Sequence, residues 1–254
     1  MTHVAHPYVQ RIGVNRDWKS RWITTDPKKF REYLRVDAAI RKFLKTRLKG
    51  MSVDAIEIER SQKDIRIIIK TSRPGLIIGR SGEGITNLKK EMSLFLRKQK
   101  MSGKPEVKLD IEEIRSPESS ARIVGQMVAE GLEKRLTFRR VMKQTVEKVM
   151  ANRDVQGVRI IMAGRLGGAD MARTEELKKG RIPLQTLRAD IDFARVEANL
   201  PYGVIGIKVW IYRGEVFTDR KAGQQEQAPR STRAPRQEQT PHTARAPRTP
   251  KTTK

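Results

Sequence analysis

Leu76-Ile77-Ile78-Gly79-Arg80-Ser81-Gly82-Glu83-Gly84-Ile85 joins an isoleucine-rich alternating run to an amphipathic stretch, and its reading decides the fold. Clustered glycines between two apolar elements mark a tight turn where backbone can approach a ligand closely. Such a turn faces phosphate. A P-loop needs Gly-x-x-x-x-Gly-Lys-Ser/Thr, and although Gly79 and Gly84 have that spacing, Ile85 stands where the lysine belongs. The dinucleotide fingerprint Gly-x-Gly-x-x-Gly also fails, because the order here is Gly79-x-x-Gly82-x-Gly84. What remains is a short clamp, Ile78, Gly79, Arg80, Ser81 and Gly82, with a cation at its tip.

Working outward, Asp26-Pro27 reads as a helix N-cap with proline in the first turn. Phe30, Tyr33, Leu34, Ile40, Leu44 and Leu48 then fall on one broad helical face, and Gly50 is a natural stop. Ile56 and Ile58 alternate with Glu57 and Glu59, and Ile65, Ile67 and Ile69 form a second alternating run. Beyond the glycines, Ile85, Leu88, Met92 and Phe95 make a helical stripe that Gly103 and Pro105 end, and Val107, Leu109 and Ile111 alternate as a third strand. The order helix, strand, strand, glycine loop, helix, strand resembles a KH domain of the type usual in bacteria. That resemblance implies an α+β unit over residues 26–114, a three-stranded sheet with helices, whose GXXG loop clamps single-stranded nucleic acid.

Composition supports a polyanionic partner. The 254 residues carry 54 Lys+Arg against 29 Asp+Glu, a formal net charge of +25. Nucleic acid is the most economical match for such an excess. No apolar run approaches the roughly 18 residues of a membrane span, and Met1 to Pro7 lacks the apolar core of a signal peptide. With no cysteine, disulfide, thiol and Cys-metal chemistry are excluded. A cytoplasmic protein with no membrane partner is expected.

The arm, residues 1–25, interleaves Arg11, Arg16, Lys19 and Arg21 with Tyr8, Trp18 and Trp22. Two readings stay open: cations and rings laid along RNA, or tryptophans packing the arm onto the next domain.

Ser116-Pro117-Glu118 starts a second region, 115–217. The pattern to about Asn152 reads as one long helix, or two nearly continuous ones, with Val124, Val128, Leu132, Met142, Val146 and Val149 as its apolar stripe. Arg135, Arg139 and Lys143 recur every four residues as a cationic stripe, with Arg140 about 100° round from Arg139. Like charges at that spacing repel by a few tenths of a kcal/mol per pair, so a polyanion beside the stripe would relieve it. After a strand at Val158–Met162, Gly164 to Leu184 reads as a long glycine-containing connection, with Arg165, Arg173, Lys178, Lys179 and Arg181 available to phosphate. Two more strands follow, around Ile191–Val196 and Ile205–Ile211, with Asp190 and Asp192 on the opposite face of the first. An antiparallel sheet backed by helix is the simplest packing.

Gly164-Arg165-Leu166-Gly167-Gly168-Ala169, Gly180-Arg181-Ile182-Pro183-Leu184, Thr186-Leu187-Arg188-Ala189-Asp190-Ile191-Asp192 and Tyr202-Gly203-Val204-Ile205-Gly206, in this order, resemble the bacterial small-subunit ribosomal protein S-three family. The likeness runs from His6-Pro7 to about residue 215 and implies a C-terminal α/β domain of antiparallel sheet and long helices after the KH domain. It further implies small-subunit rRNA as partner, with Arg188 joining the rRNA-binding candidates, and a place on the subunit head beside proteins S-ten and S-fourteen. With S-four and S-five, family members line the channel through which mRNA enters and help unwind it without hydrolysing nucleotide. The family's channel positions carry over as Arg139, Arg140 and Lys143. The alternative is a free-standing KH-domain RNA chaperone or regulator. Neither needs a cofactor, a metal or a small-molecule substrate, and the three histidines, His3, His6 and His242, lie outside any expected pocket. From about 218 to 254 the Ala-Pro-Arg repeats read as a disordered basic tail.

Overall fold

The computed structural model describes residues 5–61, 64–98 and 106–217; the expected helix stop at Gly103 and Pro105 and the expected tail lie outside them. A short helix α1, Pro7–Gln10, and a two-residue strand β1, Ser20–Arg21, lead into α2, Pro27–Arg47. Then come β2 (Val53–Arg60), β3 (Asp64–Thr71), the short α3 (Pro74–Ile78), α4 (Glu83–Lys98) and β4 (Glu106–Glu113). The second half is α5 (Ala121–Glu133), α6 (Phe138–Ala151), β5 (Gly157–Gly164), β6 (Arg173–Gly180), β7 (Ala189–Leu200) and β8 (Gly203–Glu215).

Two four-stranded sheets result, ordered β1-β2-β3-β4 and β6-β5-β8-β7. In the first, β2 and β3 are antiparallel and β4 joins β3 in parallel. The isoleucine alternation sends Ile56, Ile58, Ile65, Ile67 and Ile69 against Ile40 and Leu44 of α2 and Leu88 and Met92 of α4. The three expected strands are joined by a fourth, β1, parallel to β2. α2 buries Val36, Ile40 and Leu44, but Phe30 and Leu34 in its first turns stay exposed. Phe30 meets the Trp22 ring (5.3 Å between centroids) and not the core, so the apolar face inferred from spacing is only partly used there.

The second sheet is wholly antiparallel. Val158, Ile160 and Met162 of β5 with Ile207, Val209 and Ile211 of β8 pack on Val124, Val128, Val146 and Val149 of α5 and α6. Of the two readings of the stretch from 116 to 152, one long helix or two nearly continuous ones, the second holds: the helices are broken at Lys134–Thr137, because Leu136 N–H turns back to Gly131 O (3.1 Å) and Arg135 takes φ +61°. A hairpin of helices lets both apolar stripes face the sheet, which one straight helix could not. The expectation for the connection after Gly164 needs correction, because it is not all loop: Arg173–Gly180 is a full edge strand paired along β5 from Gly157↔Gly180 to Gly164↔Arg173. Its charged sequence hid it, since an edge strand needs backbone pairing more than apolar side chains.

The arm also departs from an arm laid along RNA. Arg11 is fully buried; its guanidinium donates to the carbonyls of Pro7 (2.9 Å), Leu184 (2.9 Å), Thr186 (2.9 Å) and Ala189 (2.7 Å). Arg16 meets Asp190 at 2.6 Å, and Arg21 meets Glu57 at 2.7 Å and Glu59 at 2.8 Å. Three of the arm's cations are therefore committed to protein. Trp22 packs on Phe30 and Tyr33 and donates to Asp37 (2.8 Å), while Trp18 stays exposed. The arm straps the segment before β7 to the edge of the first sheet.

The halves also meet at the start of α5. Ser120, its N-cap, donates to Asp54 of β2 (2.5 Å), Gln126 donates to Val53 O (3.0 Å), and Asp192 of β7 accepts from Ala121 N–H (2.8 Å). Burial, reinforced by Asp192, pushes the Asp54 carboxyl up. Burial together with Arg122, Lys19 and Arg41 pushes the Lys45 ammonium down, so the junction concentrates cations.

Candidate nucleic-acid interface

The glycine loop sits between α3 and α4. Gly79 has φ +71°, Ser81 φ +52° and Gly82 φ +79°, so three of its positions use the left-handed region. Gly84 is required for a different reason: a Cβ there would lie 2.4 Å from Ile77 O and 2.8 Å from Ile78 O. The two helices can approach this closely only over bare backbone. Ile77 is buried beneath them, whereas Arg80 and Ser81 are exposed and space around Gly82 is open. Ile78 is half-buried at the rim. The loop thus presents backbone and one cation to solvent, with its conformation set by the crossing of Gly79 and Gly84.

In the second half, α6 buries Val141, Met142, Thr145, Val146 and Val149. At 100° per residue, Arg139 and Lys143 lie on the flank about 90–130° from the centre of that buried stripe, and Arg140 points almost directly away from it. All three are exposed. Arg135, expected in the same helical row, is instead in the turn before α6, where its positive φ takes the place a glycine usually holds at a helix end. It is exposed beside the row but not part of it.

The remaining cationic candidates do not gather into one patch. Arg165 is largely spent inside its own loop, donating to Ala169 O (2.8 Å) and Tyr202 O (3.4 Å) and meeting Asp170 at 3.1 Å. Arg173 opens β6 opposite Gly164, whereas Lys178 and Lys179 pair with Arg159 and Val158 near its far end, about 17 Å away at the usual strand rise. Strand alternation also separates those two: Lys179 is on the helix side with Val158, and Lys178 is on the other face with Arg159. Arg181 is exposed past the end of β6, and Arg188 is paired with Glu215 at 2.7 Å.

One grouping was not visible in the chain order. Phe138, the first residue of α6, lies beneath both Arg139 (5.6 Å to the ring centroid) and Arg173 (5.4 Å), and Glu175 reaches both guanidinium groups. Phe138 beside Arg139-Arg140 was the only hint in the sequence; Glu175 gave none, because its role depends on β6 being a strand.

Among the described residues no group of three His, Asp or Glu is placed to hold a metal ion, and no helix is long and apolar enough to cross a membrane. The cleft between the halves, about 470 Å³, mixes Lys45, Lys49 and Arg122 with Glu130, Glu133 and Glu197 over apolar walls.

Two family models match: one described as a KH domain over residues 39–119, the other as "Ribosomal protein S3, C-terminal domain" over 128–211. The chain is similar to the small ribosomal subunit protein uS3 of Caldicellulosiruptor bescii, at 43% identity over 226 residues, 89% of this chain and 98% of that protein. It is similar to uS3 of Desulfitobacterium hafniense at 44% identity, over 89% of this chain and 99% of the relative. Ruegeria pomeroyi uS3 is 44% identical over 90% of this chain and 96% of its own length.

Proposed function

The chain belongs to the uS3 family of small ribosomal subunit proteins, and from that premise we propose that its exposed α6 flank lines the channel through which mRNA enters the subunit. As a family member it is a non-enzymatic, rRNA-binding structural component of the small subunit of the bacterial cytoplasmic ribosome. The finer role is our reading. Proteins S-ten and S-fourteen would be its neighbours on the head, and S-four and S-five would complete the channel wall.

The observation that carries the channel reading is the projection of Arg139, Arg140 and Lys143 from a helix whose opposite side is fully committed to the core. From Leu136 to Asn152 the only acid is Glu147, and the acid that reaches the row from another element, Glu175 at 3.3 Å from Arg139, forms an exposed pair that leaves Arg140 and Lys143 to phosphate. Cations on a rigid helix can follow a sliding strand, because phosphate contacts carry no sequence information.

Subunits assembled with R139A/R140A/K143A should sediment normally and unwind structured mRNA several-fold more slowly. The slope of log affinity for single-stranded mRNA against log salt should become shallower by about 2, for three lost phosphate contacts. Wild-type unwinding by the triple variant would remove these residues from the channel.

The glycine loop is a second proposed contact, with a backbone of single-stranded RNA as its ligand. Gly82→Asp adds a side chain at φ +79° and a negative charge at the tip. The strain costs about 1–2 kcal/mol, so the full chain should remain folded. Its binding to single-stranded RNA should fall at least severalfold in a filter-binding or anisotropy titration. Unchanged affinity would mean that the loop is not a contact.

A further inference from the structure

Arg139 and Arg173 come from different elements, 34 positions apart in the chain, yet share one aromatic platform and one carboxylate. Arg139 Nη2 lies 3.3 Å and Arg173 Nε 3.6 Å from the same atom, Glu175 Oε1. Both distances are long for ion pairs, and both arginine side chains are at least half exposed. Pairs of this kind contribute little, roughly 0–1 kcal/mol each, so an incoming anion can replace the carboxylate at small cost. The place of that oxygen, between two guanidinium groups held over a ring, is also where two forks would deliver hydrogen bonds to a phosphate. Access comes from the arginines themselves, whose side chains are 70% and 50% exposed, while the Gly167 backbone packs near the Phe138 ring.

We propose that Arg139 and Arg173 form a single two-arginine phosphate clamp on Phe138, and that Glu175 is its resident anion, displaced by a backbone phosphate of single-stranded mRNA. This rests on the channel reading for Arg139 and extends it to β6, which α6 spacing alone could not reach. Glu175 is a positioning residue. It holds both guanidinium groups over the ring while the site is empty and competes with the ligand when RNA arrives.

The test uses small subunits containing wild-type, R139A, R173A, R139A/R173A and E175Q full-length protein, each checked by sedimentation, with mRNA affinity measured across a salt series. Each arginine variant should weaken binding severalfold. The double variant should be close to the weaker single, because after one loss Glu175 neutralises the remaining arginine. E175Q should tighten binding at low salt about threefold and steepen the salt slope by about 0.7, because the charge that Glu175 cancels becomes available to neutralise one more phosphate equivalent on a single strand. A purely structural role for Glu175 would leave that slope unchanged. If R139A has no effect, the channel reading itself fails. If R139A weakens binding while R173A and E175Q do nothing, or if the arginine effects simply add, the clamp is overturned and the channel reading survives. Should R173A fail to enter subunits, E175Q decides, and an unchanged or shallower slope overturns the proposal.

Discussion

Gly157→Val should lower the thermal midpoint of the full chain by more than about 10 °C, the effect of several kcal/mol at this chain length. A Cβ at Gly157 would lie 1.9 Å from Arg181 O, 2.8 Å from Arg181 C and 2.9 Å from Arg181 N. These are backbone atoms, so no side-chain rotamer can relieve the clash. Gly180, its register partner, is equally confined, with a Cβ position 2.2 Å from Gln156 O. The two glycines let β6 close onto β5 where the chain leaves the sheet. A side chain would pry that end open and displace an edge strand held mainly by its ladder, a cost in the exceptional class above about 4 kcal/mol. The same variant should lose RNA affinity, since Arg173 and Glu175 are positioned by β6. Circular-dichroism melts of Gly157→Ala and Gly157→Val provide the check, and a wild-type midpoint for either would show that the close approach does not exist.

Asp37→Ala should cost about 3–5 kcal/mol, the range for breaking a buried ion pair by removing one partner. Asp37 is 1% exposed and the Arg60 side chain 4%. Arg60 donates to Oδ1 through Nε (2.8 Å) and Nη2 (2.5 Å), while Oδ2 accepts from Ser20 Oγ (3.2 Å) and Trp22 Nε1 (2.8 Å). Alanine would leave a buried guanidinium without its counter-charge and two donors without an acceptor. Arg60 would keep only its contact with the Tyr33 ring, 4.8 Å to the centroid. Asp37 also ties α2 to the arm at Ser20 and Trp22, so the variant should expose the stretch around these two residues to protease before the core melts, while Arg11 and Arg16 keep the earlier part of the arm in place. Asp37→Leu combined with Arg60→Met should recover much of the loss, because it removes charge and counter-charge together. Limited proteolysis alongside thermal melts measures both effects. If Asp37→Ala resists protease around Ser20 and Trp22 as wild type does, Asp37 is not what holds that stretch.

Much of the fold was readable because burial writes a period into the chain. The isoleucines of β2 and β3, the stripe of α4 and the alternation of β5 and β8 face a core and each produced its signal, whereas β7 divides, with Ile191 and Phe193 packing beside Trp210 and Tyr212 on one face and Ala194 and Ala198 joining the helix side on the other. β6 produced none. It is an edge strand whose exposed residues are free to be Lys, Glu and Thr, and its one glycine, Gly180, looked like loop punctuation although it serves a close backbone contact with Gln156. The sequence allowed two helices between 116 and 152 but not the place of their break, since the left-handed turn is made by Arg135 with no glycine or proline at that position to mark it. The helix spacing that grouped Arg135 with Arg139 was therefore valid arithmetic applied across a boundary it could not detect.

The arm shows the same limit for charge. Arg11, Arg16 and Arg21 differ little from Arg139 or Arg140 as letters, and a basic segment mixed with aromatics fits RNA as well as protein. Which of them remains available depends on carbonyls and carboxylates up to 178 positions away, such as Ala189 for Arg11. Local spacing and totals in the sequence were enough for the glycine turn, the order of elements around it, the two larger cores and the excess of cations, but not for the third apolar cluster of Ile191, Trp210 and Tyr212. Only the tertiary structure decided which cations are spent and which are free. It also placed Arg173 with Arg139, because pairing β6 to β5 brings a strand end to a helix start, and no local period encodes that distance.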